Sequence, residues 1–440
     1  MKRSPRIFFT VIVLLLASLA CSVDVQLTSE PPTEVPPPAQ PATTTPIEQP
    51  PTDSPTEMPP TDVPTVHPSI TAQPPTVEPE SAASPYTPSG FLMVAPAGES
   101  VTAYTPQGQP TGSFQTPGLS MGSYDSIHVA GGAPGAVLQA PLIFSAFDDA
   151  YKLKQNLNGQ ISDLVVNQDL GYLAGAPGQN AWVHTTISWN GDALVSQLYA
   201  HGPGGGGASP LLERVDPTSY AVQPQAVQAS AGEPMGVWYA LMPWGIGGDI
   251  VFPPRQGLYY LDITAGGTEN LFLTEDFSPQ GLSPDMTWIA YIPVDFGAGQ
   301  GSNTRLTLYN LYSTVMVEIP LRQGSDRGAG YVVFSPDNQR VAWMEGSGWM
   351  MAETPNFHSK MVISDINGNI IAELSDQQVA AVTSTPDAVW AKPVGWLDGE
   401  TLLVEVIGED WNNSSLVKMR FDGSQMSVLA RGTFGGFVYP

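Results

Sequence analysis

Residues 333–344 read VFSPDNQRVAWM. The apolar pair Val333-Phe334 runs into Ser335-Pro336-Asp337, a turn sequence in which proline fixes φ and aspartate accepts nearby backbone amides. Val341-Ala342-Trp343-Met344 then resumes as a second apolar strand. Two other stretches align with it, GLSPDMTWIAYI at 281–292 and VGWLDGETLLV at 394–404, so that Asp285, Asp337 and Asp398 stand 52 and 61 residues apart. A more degenerate copy, VVNQDLGYLA at 165–174, puts Asp169 in the corresponding turn, and GEPMGVWYA at 232–240 fills the gap before the next. Recurrence at this interval marks a repeat architecture.

A second pattern follows each turn by about 20 to 30 residues: two alternating strands around a Gly, Asn or Asp turn. It is clearest at 258–273, 361–374 and 417–430, present without glycine at 306–321, and weaker at 102–115, 151–164 and 194–212. Asn367-Gly368 and Asp422-Gly423 are dipeptides suited to two-residue hairpin turns, where both central residues need positive φ. Seven such hairpins predict an all-β fold, a β-propeller of about seven four-stranded blades within a range of six to eight. The first unit supplies three strands only, and Thr433 to Tyr439 is left over after the last hairpin. A C-terminal strand completing the N-terminal blade would close the ring and protect its edges.

The Ser-Pro-Asp turn, the apolar strand ending in Ala-aromatic and the hairpin with Asp at its first flank resemble the WD40-like repeat of the TolB-type β-propeller. The resemblance is clear from about 280 to 430 and faint from 89 to 280. Asp398 departs from it, standing in Leu-Asp-Gly, and the first two blades lack the motif.

The propeller expectation covers residues 89–440, because the rest has a different composition. All 44 glycines lie at or after Gly90, whereas 19 of the 44 prolines lie between Pro31 and Pro88. Between Ser22 and Pro88 there are nine carboxylates and no Lys or Arg. Such a chain cannot offset its ordering cost and reads as a disordered Pro/Thr-rich stalk, stiffened by polyproline-II preference and self-repulsion. Ahead of it, Lys2, Arg3 and Arg6 precede an apolar run from Ile7 to Ala20, the pattern of a signal peptide over residues 1–20 and too short to span a bilayer. The sole cysteine, Cys21, follows Ser18-Leu19-Ala20 and resembles the lipobox cysteine of bacterial lipoproteins. That resemblance implies a lipid on Cys21, a stalk over 21–88 tethered to the membrane, and an extracytoplasmic location anchored to the cell envelope. Ser18-Leu19-Ala20 also satisfies the small-x-small rule of ordinary signal peptidase, which would release a secreted protein.

Sixteen basic against 41 acidic residues leave a formal charge of −25, which excludes nucleic acid as a partner and any basic-patch function. One cysteine excludes a disulfide framework and paired-thiolate metal sites. The one Gly-x-Ser-x-Gly match, Gly118-Leu-Ser-Met-Gly122, has no α/β segment after the repeats to make it a nucleophile elbow. His67, His128, His184, His201 and His358 are scattered, as expected of core or loop histidines. The turn aspartates Asp169, Asp285, Asp337 and Asp398 suit local capping better than structural calcium, so neither cofactor nor metal is expected. Trp244, Trp349 and Trp411 stand among Gly, Asn and Met and are the candidates for an exposed binding face. These features favour a non-catalytic binding or scaffolding propeller whose partner is an envelope protein, peptide or glycan. The alternative is a secreted propeller enzyme, a glycan hydrolase or lyase, with carboxylates brought together in the central funnel. A self-associating structural surface protein is a third reading.

Overall fold

The computed structural model describes residues 86–95, 98–119, 127–129, 141–147, 151–166, 169–203, 205–207, 209–244, 255–277, 281–293, 305–321, 327–347, 357–385, 387–408 and 413–440. The signal, Cys21 and nearly all of the stalk lie outside them, as do Trp349 and Trp411. The described chain is a seven-bladed propeller of antiparallel sheets. In sheet order, the first blade is Thr433–Val438, Gly90–Val94, Ser100–Tyr104 and Pro110–Gln115, and the second Ile127–Val129, Leu142–Phe147, Tyr151–Leu157 and Gln160–Val166. The third is Asp169–Gly175, Trp182–Asn190, Ala193–Gly202 and Leu212–Asp216, with Gly205–Gly206 as an extra short strand. The fourth is Tyr220–Ser230, Glu233–Pro243, Arg255–Asp262 and Thr268–Phe277, and the fifth Gly281–Leu282, Trp288–Tyr291, Arg305–Asn310 and Met316–Pro320. The sixth is Arg327–Phe334, Arg340–Ser347, Ser359–Asp365 and Ile370–Ser375, and the seventh Ala388–Trp396, Thr401–Gly408, Ser414–Arg420 and Ser427–Arg431.

Each blade buries its faces against its neighbours, so the core lies between blades rather than at the axis. Leu92, Val101 and Phe114 meet Leu142 and Phe144 between the first and second blades, and Ile143 and Leu153 meet Leu173 and Trp182 between the second and third. Equivalent clusters fill the next four interfaces, with Trp343 buried between the fifth and sixth blades and Trp396 between the sixth and seventh. Phe91 and Met93 pack on Leu403 and Leu416 in the last interface, so the circle of cores is complete.

Closure follows the strand count. Thr433–Val438 lies beside Gly90–Val94, pairing Phe91 with Phe437, Leu92 with Gly436 and Met93 with Phe434. It occupies the position that the first strand holds in every other blade. Ser89 N–H donates to the Val438 carbonyl at 2.8 Å, and Phe434 N–H donates to Glu405 Oε1 of the seventh blade at 3.0 Å. Val438 is buried, whereas Phe434, Phe437 and Tyr439 are half-buried. The aromatics therefore contribute less burial than full coverage would give.

The Asp turns are held by local hydrogen bonds. Asp285 Oδ1 accepts from Ser283 Oγ at 2.6 Å and from Thr287 N at 3.0 Å, while Ser283 Oγ accepts from Trp288 N at 2.9 Å. Asp337 repeats the pattern with Ser335 Oγ at 2.5 Å and Gln339 N at 3.1 Å. Asp398 accepts from Glu400 N and Thr401 N at 2.7 and 2.6 Å. We expect Asp285→Ala and Asp337→Ala each to destabilise by about 1 to 2 kcal/mol, because a charged acceptor of two or more donors is lost. Equilibrium unfolding in guanidinium measures this; no change in midpoint for either variant would show that the turns hold without their carboxylates.

Two expectations need correction. Asp169 sits in no such turn: it opens the first strand of the third blade, and the turn that follows that strand runs from Ala176 to Ala181 with no aspartate. The dipeptides Asn367-Gly368 and Asp422-Gly423 are not two-residue turns. Only Gly368 and Gly423 have positive φ, at 88° and 79°, and each closes a longer loop in which its N–H donates to the carbonyl of Asp365 or Arg420. Flanking aspartates shorten the reach: Asp365 accepts from Asn367 N and Asn369 N, both at 2.9 Å. Two-residue turns with both φ positive do occur at Asn158-Gly159, in a hairpin with a weaker sequence signal, and at Ala231-Gly232.

Candidate functional site

The first strands of successive blades meet around the axis for most of the ring. In five blades these strands bulge near mid-length. The unpaired residues are Gly435 in the first blade, Gly171-Tyr172 in the third, Gln225 in the fourth, Tyr331-Val332 in the sixth and Val394 in the seventh. A bulge re-aims side chains that alternation would otherwise assign to a sheet face. Here two bulge residues, Gln225 and Gly435, are delivered onto the wall of a cavity of about 390 Å3.

Four blades build that cavity. The closing strand and its extension supply Gly435, Gly436, Phe437 and Tyr439, and the second blade supplies Ile127 and His128. The third supplies Leu173, Ala174, Gly175 and Pro177, and the fourth Gln225. His128 lies so close to the third blade that a Cβ on Gly175 would come within 2.0 Å of its imidazole, so this contact requires glycine. Gln225 is held by a 3.1 Å hydrogen bond from its Nε2 to the Gln223 carbonyl. Gln223 in turn accepts from the buried Arg255 at 2.7 Å.

Burial sets the protonation of the wall. It pushes the His128 pKa down to about 4, with a hydrogen bond to the Gln179 backbone opposing weakly, and pushes the Tyr439 phenol up to about 12. Both are neutral at pH 7, and among the described residues no other on the wall carries an ionisable side chain. His128 Nε2 is sealed from solvent and has no hydrogen-bond partner among the described residues. Across the axis, Lys392 lies 4.7 Å from the Tyr331 ring centre and pairs in register with Glu405. Burial raises the Glu405 carboxyl above its ordinary range, against the opposing pull of Lys392 and of Phe434 N–H.

A second titratable cluster lies within the third blade. His201 stacks on Trp182 at 3.7 Å, and its Nε2 lies 3.0 Å from His184 Nδ1. Burial lowers the pKa of both, and His201 lowers that of His184 further. Among the described residues no group of three or more His, Cys, Asp or Glu side chains is placed to hold a metal ion.

The residues singled out from sequence fall elsewhere. Trp244 is half-buried, stands edge-on to Tyr172 with ring centres 5.9 Å apart, and covers the core between the third and fourth blades. It is a packing residue rather than an exposed platform. Asp285, Asp337 and Asp398 serve their turns. The cavity residues were missed because they come from four blades; the glycine pair Gly435-Gly436 inside an otherwise apolar strand was the available signal, since such glycines mark bulges.

No protein-family model matches the sequence, and no curated protein sequence matches it. In structure the chain is similar to TolB from Acinetobacter baumannii, with 15% identity, 66% of this chain and 63% of that chain covered, and a TM-score of 0.36. It is also similar to an oligogalacturonate lyase from Vibrio parahaemolyticus, with 12% identity, coverage of 78% and 85%, and a TM-score of 0.42. A third likeness is to a puromycin-hydrolysing peptidase from Mycobacterium tuberculosis, with 13% identity, coverage of 79% and 54%, and a TM-score of 0.46. The chain thus spans less than two thirds of the TolB and peptidase chains. These are distant likenesses of fold among proteins with different activities.

Proposed function

We propose that the protein is an extracytoplasmic lipoprotein, anchored to the cell envelope through Cys21, that displays a non-catalytic binding propeller on a Pro/Thr-rich stalk. The observation that carries the binding half is the axial cavity. Among the described residues its wall has no carboxylate, serine or cysteine, and the pKa values of its two ionisable side chains are pushed away from 7 in opposite directions, to about 4 and about 12. General acid–base catalysis works best with a pKa near the operating pH, so this wall suits holding a ligand rather than transforming it. The anchoring half rests on the charge and apolar pattern of residues 1–20 and on the place of the sole cysteine.

Fractionation and crosslinking test the two halves together. Wild-type protein should sediment with membranes and carry acyl mass on Cys21, and Cys21→Ala should be soluble. Crosslinking in native envelopes should recover a molecule held chemically unchanged. Unmodified Cys21 on a soluble wild-type protein overturns the anchor, and release of a cleaved glycan or peptide overturns the non-catalytic reading.

A further inference from the structure

We infer that His184 and His201 of the third blade form a two-imidazole site for a divalent transition-metal ion, copper(II) by preference, separate from the axial cavity. Strand pairing builds it from residues 17 apart in the chain. The register sets His184 opposite Tyr199 and His201 opposite Trp182 on neighbouring strands, so the two imidazoles lie side by side on one face of the sheet. Their ring centres are 5.0 Å apart, and His201 Nε2 meets His184 Nδ1 at 3.0 Å. Each ring is braced by an aromatic neighbour. His201 lies flat on Trp182 with centres 3.7 Å apart, and His184 stacks on Tyr199 at 5.1 Å. Donor groups locked in this way lose little freedom when they bind an ion.

The chemistry of the pair selects the ion. Neutral imidazole is the form that ligates a metal, and burial holds His184 and His201 neutral, with pKa values lowered to about 3 and about 4. The hydrogen bond between them uses one N–H. When an ion binds, that proton moves to the far nitrogen of its own ring, giving the other neutral tautomer, so both facing nitrogens present lone pairs and no proton is released. Two nitrogens 3.0 Å apart, each about 2.0 to 2.1 Å from one ion, subtend roughly 90 to 100° at it. That angle fits neighbouring positions of a tetragonal copper(II) or nickel(II) site and is narrower than the tetrahedral angle of structural zinc. Copper(II) also heads the affinity order of such donors. Among the described residues no third His, Cys, Asp or Glu joins the pair, so the other positions fall to water. Approach is from the His201 side: His184 is buried and His201 half-buried, and Gly207 carries no side chain where a Cβ would stand 3.0 Å from His201 Nε2.

The test uses the full mature protein with copper(II) alone as the probe. With one equivalent at pH 7, pulsed electron paramagnetic resonance should show one copper ion coupled to two imidazole rings. His184→Phe and His201→Phe keep an aromatic ring in each stack, and each should abolish the two-imidazole signal and weaken copper binding about tenfold or more. His358→Phe, outside the pair, should leave the signal unchanged. Zinc(II), titrated in the same way, should bind more weakly than copper(II). A measurement on the unmutated chain does not depend on how the variants fold. In protein labelled at histidine, substoichiometric copper(II) should broaden the ring resonances of His184 and His201 before those of His128 and His358. Copper bound without two imidazoles, a two-imidazole signal that survives in both phenylalanine variants, or earlier broadening of any other histidine overturns the site.

Discussion

A chain ending at Arg431 should aggregate on purification or melt more than about 10 °C below the full-length protein. The truncation removes five register pairs between Thr433–Val438 and Gly90–Val94. It uncovers Phe91 and Met93, whose packing closes the last blade interface. It also deprives buried Glu405 of its Phe434 N–H donor, leaving a carboxyl whose charge is already disfavoured. Burial of Val438 together with three half-buried aromatics contributes on the order of 5 kcal/mol, comparable with a typical total of 5 to 15 kcal/mol. The exposed Gly90–Val94 edge would then offer unpaired backbone to other chains. A truncated protein that melts within a degree or two of the parent would mean that the residues after Arg431 add nothing to the ring.

Stability should fall steeply as the pH drops from about 6.5 towards 4, and this second large effect comes from neutral histidines, His184 buried and His128 and His201 half-buried. His128, His184 and His201 all have pKa values lowered by burial. Below 6.5 the unfolded chain therefore takes up protons that the native state refuses, so stability decreases with falling pH until the native groups also titrate. For His128 alone, the move from 6.5 to about 4 corresponds to about 3 kcal/mol. Between pH 6.5 and 5 most carboxylates stay ionised, so this window reads the histidines before any relief of the −25 charge. Near and below pH 4 a second loss follows. Asp262 is held low by the Thr264 hydroxyl and Asp422 by the Ser424 hydroxyl, and in Asp365 the hydrogen bonds outweigh the upward push of burial. Their stabilisation is present above 3.8 and disappears as pH falls through the lowered native values. Guanidinium titrations from pH 7.5 to 3.5 measure both steps, and His128→Gln should flatten the first. Stability that is level or rising from pH 7 to 5 would contradict the burial of these imidazoles.

What was legible in the sequence was what local chemistry determines. Ser283-Pro-Asp285 and Ser335-Pro-Asp337 are readable because their donors and acceptors lie within five residues of each other. The closing strand was legible for a different reason: a propeller blade needs four strands, and the deficit at Phe91 matched the surplus at Thr433. Asp169 misled because an aspartate beside an apolar strand looks alike whether the strand follows a turn within a blade or the connection between blades. The cavity was illegible because it joins His128, Gly175, Gln225 and Gly435, spread over more than 300 residues, and because Gln225 reaches it through a one-residue bulge. A register slip of that kind leaves no mark in the alternation of apolar and polar residues.

Hydrogen–deuterium exchange on the mature protein tests ring closure most directly. The amides of Thr433–Val438 should be as protected as those of Thr401–Gly408, the second strand of the seventh blade, and should exchange only in the global unfolding of the propeller. Exchange of the 433–438 amides within seconds, while the seventh blade remains protected, would contradict the closed seven-bladed ring and the cavity that its last strand helps to form.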